Sequence, residues 1–195
     1  MDKMKPQDIL QEVDPNTIEG GFSKNLVQCR SYLLEILKHY KTDFDTIYIL
    51  GSWYGNLSLM FATDSDFTFD KIVNVETNIK CLLTGQKIAD KLGYTNIEPM
   101  RKDANELDYR QLGKNGLVIN YSPHNIIGSD WFNNIPDETM VVIQGRNNDN
   151  GSVKKYNSLD NMRSNFRFAQ LLYSGERTFT DPETKYNCYL LIGIK

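Results

Sequence analysis

The sequence predicts an α/β fold in three layers: a mostly parallel sheet with helices on both faces and an antiparallel strand pair at its C-terminal end. Three observations carry this expectation. β-prone apolar runs alternate with helix-periodic segments between residues 24 and 145. The runs Ile47-Tyr48-Ile49-Leu50 and Met140-Val141-Val142-Ile143 are apolar at consecutive positions, as strands covered on both faces are. The chain then closes on two β-prone runs joined by a polar segment with Gly175, Asp181 and Pro182. Alternating strands and helices pair in parallel through right-handed crossovers, which makes the expected sheet Rossmann-like.

In order along the chain, residues 1–22 are polar, with Pro6, Pro15 and Gly20-Gly21, and read as a loose or weakly helical lead-in. Ser23 has N-cap chemistry, and Phe22 and Val27 stand at the two positions of a hydrophobic staple. Leu26, Arg30, Leu33, Leu37 and Tyr40 recur at helical spacing and predict a helix over 24–40. Lys24, Arg30 and their neighbours read as its solvated face. Residues 1–44 therefore form an N-terminal helical lead-in or lid, and residues 45–195 one ligand-binding domain. Within that domain the pattern predicts strands at 46–50, 71–76, 96–101, 116–120 and 139–144. Helices are expected at 56–63, at 78–92 despite Gly85, and at 104–112. Residues 145–165, rich in Asn, read as an exposed or mobile loop. Residues 166–173 and 186–194 read as the antiparallel pair.

Composition bounds the function. With 195 residues, 40% apolar and 24% charged, the chain is a single packed domain rather than a disordered, collagenous or fibrous one. A net charge of −3 argues against sequence-independent binding along nucleic acid, which rests on neutralising many phosphates. Cys29, Cys81 and Cys188 are scattered without ligand or redox spacing and read as reduced core thiols of a cytoplasmic protein. His39 and His124 are the only histidines, so no metal site is expected. The charged start lacks the apolar run of a signal peptide, and no stretch is long and apolar enough to span a bilayer.

Ligands of an open α/β sheet sit beyond the carboxyl ends of its strands, so the residues after each strand are the candidates. Gly51-Ser52-Trp53-Tyr54-Gly55 follows the first, where glycines permit a sharp turn and close approach. Glu76 ends the second, a place where acids commonly accept from ribose hydroxyls. Asp103 and Ala104 follow the third: a carboxylate to accept from an exocyclic amine and a backbone amide to donate to a ring nitrogen. Asn120-Tyr121-Ser122-Pro123-His124 follows the fourth. Together these make an adenosine-shaped cradle beside a polar platform. Each also has a plainer reading: Gly51 to Gly55 as a simple turn, Trp53 as core, Glu76 and Asp103 as helix caps or first-turn acids. His124 reads equally as an ordinary first-turn residue. Lys154, Lys155, Arg163 and Arg167, with Tyr156 and Phe166, read as a solvated loop rather than an anion site.

In the order of these features, over about residues 45–145, the chain resembles the class I S-adenosylmethionine-dependent methyltransferases. The resemblance implies adenosylmethionine as cofactor, with Gly51, Ser52, Trp53 and Gly55 as the glycine loop. It makes Glu76 the ribose acid, Asp103 and Ala104 the adenine contacts, and Asn120 to Pro123 the motif after strand four. The final strand would run antiparallel within a seven-stranded sheet. The sequence departs from the family pattern at Ile49, where an acid is usual, at Trp53 in place of the middle glycine, and in the single proline of Asn120-Tyr121-Ser122-Pro123.

The resemblance implies methyl transfer by in-line attack on an activated methyl group. Asn120 would accept hydrogens from an amine nucleophile and Ser122 would help orient it. Tyr121 would stack on a planar substrate or face the sulfonium, and His124 would serve as base for a hydroxyl. Phe22, Ser23 and Lys24 would form part of a lid, with Lys24 near the methionine carboxylate. The acceptor expected is a small molecule or compact polar target; the Asn-rich segment 145–165 leaves room for a nucleic-acid loop or end, which is not the favoured reading, and no membrane partner is expected. Three alternatives stay open: a scaffold that holds adenosylmethionine, or nothing, without turnover; a nicotinamide-dependent reductase, for which the loop lacks Gly-x-Gly-x-x-Gly; and cleavage of adenosylmethionine rather than transfer.

Overall fold

Helix α1 (Lys24–Leu37) buries Cys29, Arg30, Tyr32, Leu33, Leu34 and Leu37 on one stripe, the side that the helical spacing of its apolar residues dictates. The computed structural model describes residues 24–147, 154–180 and 185–195. After α1 come β1 (Asp43–Leu50), α2 (Asn56–Thr63), β2 (Thr68–Glu76), α3 (Ile79–Lys91), β3 (Ile97–Arg101) and β4 (Leu117–Asn120). Then follow α4 (Asp130–Asn133), β5 (Met140–Arg146), α5 (Leu159–Arg163), β6 (Gln170–Thr180) and β7 (Lys185–Ile194). The seven strands form one sheet in the order β3-β2-β1-β4-β5-β7-β6. The first five pair in parallel, and β7 runs antiparallel between β5 and β6. The strand order reverses between β1 and β4, the switch point where open α/β sheets hold ligands.

Both faces of the central strands are covered, which is why their sequence does not alternate. Ile47 and Ile49 of β1 pack with Leu33, Leu37, Leu57, Phe61 and Ile88 from α1, α2 and α3. Tyr48 and Leu50 face the opposite layer with Tyr109, Trp131, Phe132 and Phe166. Leu33 is fully buried; truncation to alanine there costs about 2–5 kcal/mol, lost transfer energy plus an unfilled cavity.

Helix α1 is fastened across the antiparallel end. Gln144 Nε2 donates to the Cys29 carbonyl at 2.7 Å, and Tyr186 Oη donates to the Asn25 carbonyl at 3.2 Å. The Tyr32 and Tyr173 hydroxyls meet at 2.8 Å, and Arg177 makes a two-pronged contact with Glu35 at 2.7 and 2.8 Å. Cys29 and Cys188 form a disulfide across a Cα separation of 6.0 Å, and Cys81 is a buried free thiol. This corrects the expectation of three reduced cysteines. The two sulfurs lie 159 residues apart in sequence, so no spacing motif announces the pair, and only the docking of α1 on β7 brings them together.

Other expectations need correction. The helix expected over 104–112 is a single 3-10 turn, Ala104–Glu106, after which Leu107 is extended at φ −67°, ψ 139°. Asp103 and Asp108 each accept the backbone N–H two residues on, and such local turns compete with helix. The segment 145–165 is not one exposed loop. Its first two residues complete β5, residues 148–153 lie outside the described residues, and Leu159–Arg163 is helical with Ser158 accepting from the Asn161 N–H at 3.1 Å. Tyr156 and Met162 are buried there, packed over Gly145, whose side-chain space they occupy. The first partner of the antiparallel pair begins at Gln170 rather than 166 and runs on to Thr180. Phe166 and Phe168 pack instead against Phe132. The first helix ends at Leu37, three residues early. The proposed staple and lid residues Phe22 and Ser23 lie outside the described residues, and Lys24 is exposed.

Candidate functional site

Three residues of the turn after β1 have left-handed backbone: Gly51 at φ 64°, Trp53 at φ 51° and Gly55 at φ 70°. Glycine accepts this conformation freely, whereas Trp53 bears strain on the order of 1–2 kcal/mol. Three hydrogen bonds hold the turn. The Ser52 N–H donates to the Val75 carbonyl at 3.0 Å and the Gly55 N–H to the Ser52 carbonyl at 2.8 Å. The Trp53 N–H donates to Glu76 Oε2 at 3.0 Å. Around Gly51 the turn is open: a Cβ there would meet nothing within 4 Å. At Gly55 it is closed, where a Cβ would come within 3.0 Å of Asn74 Nδ2. Gly85, an unfavourable residue for a helix interior, has its reason here. A side chain at that position would strike the Tyr54 carbonyl at 2.8 Å, so glycine lets α3 lie against the turn. The Trp53 and Tyr54 rings lie 5.1 Å apart.

Glu76 carries the structural half of the site. Its Oε2 accepts from Trp53, and its Oε1 accepts the Asn78 N–H at 2.9 Å. The cap of α3 is Asn78, which accepts from Lys80 and Cys81, so the helix-cap reading of Glu76 does not hold. Glu76 lies opposite Arg101 in the β2–β3 register, which places Asp103, two residues on, at the same edge of the sheet. The Asp103 carboxylate accepts the Asn105 N–H at 2.8 Å and its side-chain amide at 3.1 Å. Asn105 in turn donates to the Ile127 carbonyl and accepts from the Trp131 N–H. Asp103 thus caps the 3-10 turn, the plainer of its two readings, and orders this rim of the edge. Ala104 is buried within that turn.

Asn120 lies opposite Leu50 in the β1–β4 register, one strand over from the start of the glycine turn. It is fully buried. Its Oδ1 accepts the Ser122 N–H at 3.1 Å, while its Nδ2 has no partner among the described residues. Tyr121 is buried, and the Arg30 guanidinium covers its ring at 4.6 Å. Burial pushes the Tyr121 hydroxyl up to about 12, against the pull of Arg30. Ser122 is half-buried, and His124 is buried in a 3-10 turn with its carbonyl accepting the Lys154 N–H at 3.0 Å.

Arg30 is the residue the sequence reading misplaced. It is 2% exposed, not part of a solvated face. Burial lowers its pKa, and nearby Arg146 pushes the same way. The signal was present in the sequence: Arg30 occupies a position of the apolar stripe of α1. The structure therefore gathers the Gly51 turn, Glu76, Asn120 and Tyr121 around the switch point, with Asp103 on the same edge, and adds Arg30 and Asn74, which the motifs did not suggest.

No family model matches the sequence, and no curated protein matches it. Solved structures do match. The YcgJ protein of Bacillus subtilis superposes with a TM-score of 0.65 at 12% identity, covering 86% of this chain and 98% of that one. Magnesium protoporphyrin IX methyltransferase from Synechocystis, solved with bound adenosylmethionine, gives 0.62 at 11% identity and 99% of both chains. An adenosylmethionine-dependent methyltransferase from Aquifex aeolicus gives 0.59 at 12% identity, over 98% and 99%. The chain has the class I methyltransferase fold. The mostly parallel seven-stranded sheet with an antiparallel C-terminal pair at one end agrees with the architecture expected from the sequence; the strand order, with β7 between β5 and β6, is supplied by the structure.

Proposed function

We propose that this chain binds S-adenosylmethionine over the Gly51–Gly55 turn and transfers its methyl group to a small-molecule or compact polar acceptor beside Asn120–His124. The observation that carries the reading is the turn itself: left-handed at three positions, clamped by Glu76, and open around Gly51. The residues present fit the cofactor. The backbone around Gly51 is unobstructed, Glu76 would meet the ribose with Asp103 further along the same edge, and the switch point lies alongside.

Adenosylmethionine supplies a methyl group already activated on a sulfonium. The chain's own contribution is placement, worth on the order of 7–11 kcal/mol when reactants are held in near-attack geometry. The Glu76 carboxylate fixes the turn and keeps acceptor capacity for ribose hydroxyls. Tyr121, braced by Arg30, forms the wall between cofactor and α1. Where the nucleophile is a hydroxyl, His124 is the side chain of this segment that would serve as its base. No helix among the described residues is long and apolar enough to cross a membrane.

Titration calorimetry with adenosylhomocysteine and, separately, NADH tests the reading. Binding of adenosylhomocysteine and not of NADH is the expected result. Binding of NADH alone, or of neither, overturns it. Transfer of tritiated methyl from adenosylmethionine to a metabolite pool separates an enzyme from a binding scaffold.

A further inference from the structure

We infer that the Cys29–Cys188 disulfide is a redox switch on the candidate site. The oxidised bond holds the first half of α1, and Arg30 with it, against Tyr121; reduction by a small thiol of the glutathione class releases that half and weakens cofactor binding. The inference adds a control to the methyltransferase reading and rests on that reading for its ligand.

The bond stands one residue from the wall of the site. It joins α1 to β7, and both cysteines pack in the same core cluster as Tyr121. The residue after Cys29 is Arg30, whose guanidinium lies 4.6 Å from the centre of the Tyr121 ring. Tyr121 directly follows Asn120, the last residue of β4, at the switch point of the sheet. The ties of α1 fall into two sets. Its second half is held on β6 through Tyr32 with Tyr173 and Glu35 with Arg177. Its first half is held by the disulfide, together with hydrogen bonds from Gln144 to the Cys29 carbonyl and from Tyr186 to the Asn25 carbonyl. Release of the first half favours Arg30. Burial lowers its pKa even against the pull of Tyr121, so its surroundings as a whole favour the charged form less than water does.

The chemistry is thiol–disulfide exchange. The thiolate of one small thiol attacks a sulfur of the pair, forming a mixed disulfide as the Cys29–Cys188 bond breaks. The electron pair of that bond goes to the other cysteine sulfur, which takes up a proton. A second small thiol attacks the mixed disulfide, releases the remaining cysteine as a thiol, and leaves as the oxidised disulfide of the reductant. Both cysteine sulfurs are buried, so a thiolate reaches them only after the first half of α1 has lifted. Cofactor binding and reduction therefore oppose each other. By linkage the effect is reciprocal: the factor by which reduction weakens the ligand is the factor by which the ligand resists reduction.

The test uses the full chain and adenosylhomocysteine as probe. Titration calorimetry should show affinity weaker by about fivefold or more after reduction with dithiothreitol, and recovered on reoxidation. C29S/C188S should bind as the reduced chain does and ignore the reductant. In glutathione buffers of graded ratio, read by thiol alkylation and mass spectrometry, saturating probe should displace the reduction equilibrium by the same factor. Equal affinity in the two states, a reductant response that persists in C29S/C188S, a pair that stays reduced in oxidised glutathione, or an equilibrium that the probe does not move overturns the inference. Hydrogen exchange supplies a readout without ligand. The amides of Gln28, Cys29 and Arg30 should exchange faster in the reduced chain, while those of Leu34 to Leu37 keep their protection. Unchanged exchange at 28–30, or an equal rise over both stretches, overturns it. If adenosylhomocysteine binds neither state, the methyltransferase reading falls and hydrogen exchange alone decides whether the disulfide governs α1; if it binds both states equally, only the switch falls.

Discussion

The backbone N–H of Trp53 donates to Glu76 Oε2 at 3.0 Å, so the carboxylate that ends β2 also fixes the turn that follows β1. One acid thereby shapes the cradle and borders it. The E76Q substitution keeps the size of the side chain but turns one of its two accepting oxygens into a donor, facing either Trp53 N–H or Asn78 N–H. The expected loss is about 1–3 kcal/mol of stability in urea unfolding, with a drop of tenfold or more in adenosylhomocysteine affinity. A stable E76Q protein with unaltered affinity would show that the clamp has no part in the site.

The two glycines of the turn should behave differently. G51A places a methyl group in open space, so its cost is the left-handed backbone alone, about 1–2 kcal/mol, and its main effect is on ligand binding. G55A bears the same strain and also presses on Asn74 Nδ2, an amide fixed by its bond to Ser58. Thermal unfolding should therefore rank G55A below G51A, and calorimetry should show cofactor affinity lost in both.

What the sequence made legible follows from which residues speak locally. The strands around Ile47–Leu50 and Met140–Ile143 were readable because burial on both faces leaves an unbroken apolar run. The glycine turn was readable because only special residues tolerate its backbone. Residues 104–112 misled because Asp103 does cap a helical turn, accepting from Asn105, but Leu107 then turns extended and Asp108 takes the Arg110 N–H into a separate local turn. The Cys29–Cys188 pair was not legible, since it is made by the docking of α1 on a strand more than a hundred residues away, whereas the burial of Arg30 could be read from its place in the apolar stripe of α1. The orientation of the Asn120 amide depends on a single backbone N–H, which a sequence does not display.

The Cys29–Cys188 bond closes a loop of 159 residues and fixes α1 to β7. Constraining the unfolded chain over that span stabilises by about 2–4 kcal/mol in the usual range. The oxidised protein should unfold at higher urea concentration than the same protein in reductant, and C29S should match the reduced form. Coincident unfolding curves with and without reductant would show that the link adds no stability.

Tyr121 sets a limit on alkaline stability. Its hydroxyl titrates at about 12 in the folded chain against about 10 in the unfolded one. A raised folded pKa means that the folded state holds the proton more tightly. The stabilisation is therefore fully present below pH 10 and is lost as pH rises towards 12. For a buried group with this shift the span is on the order of 2–3 kcal/mol. Y121F removes the titration but leaves the ring beneath Arg30. Urea midpoints measured from pH 8 to pH 11.5 should fall less steeply for Y121F than for the wild type. The other buried tyrosines that titrate high, Tyr32 in the same layer and Tyr109 and Tyr156 in the opposite one, are present in both proteins and contribute equally to both curves, so the difference between the two slopes isolates Tyr121. Parallel slopes would mean that its hydroxyl remains solvated in the folded protein, and with it the wall assigned to Tyr121 and Arg30.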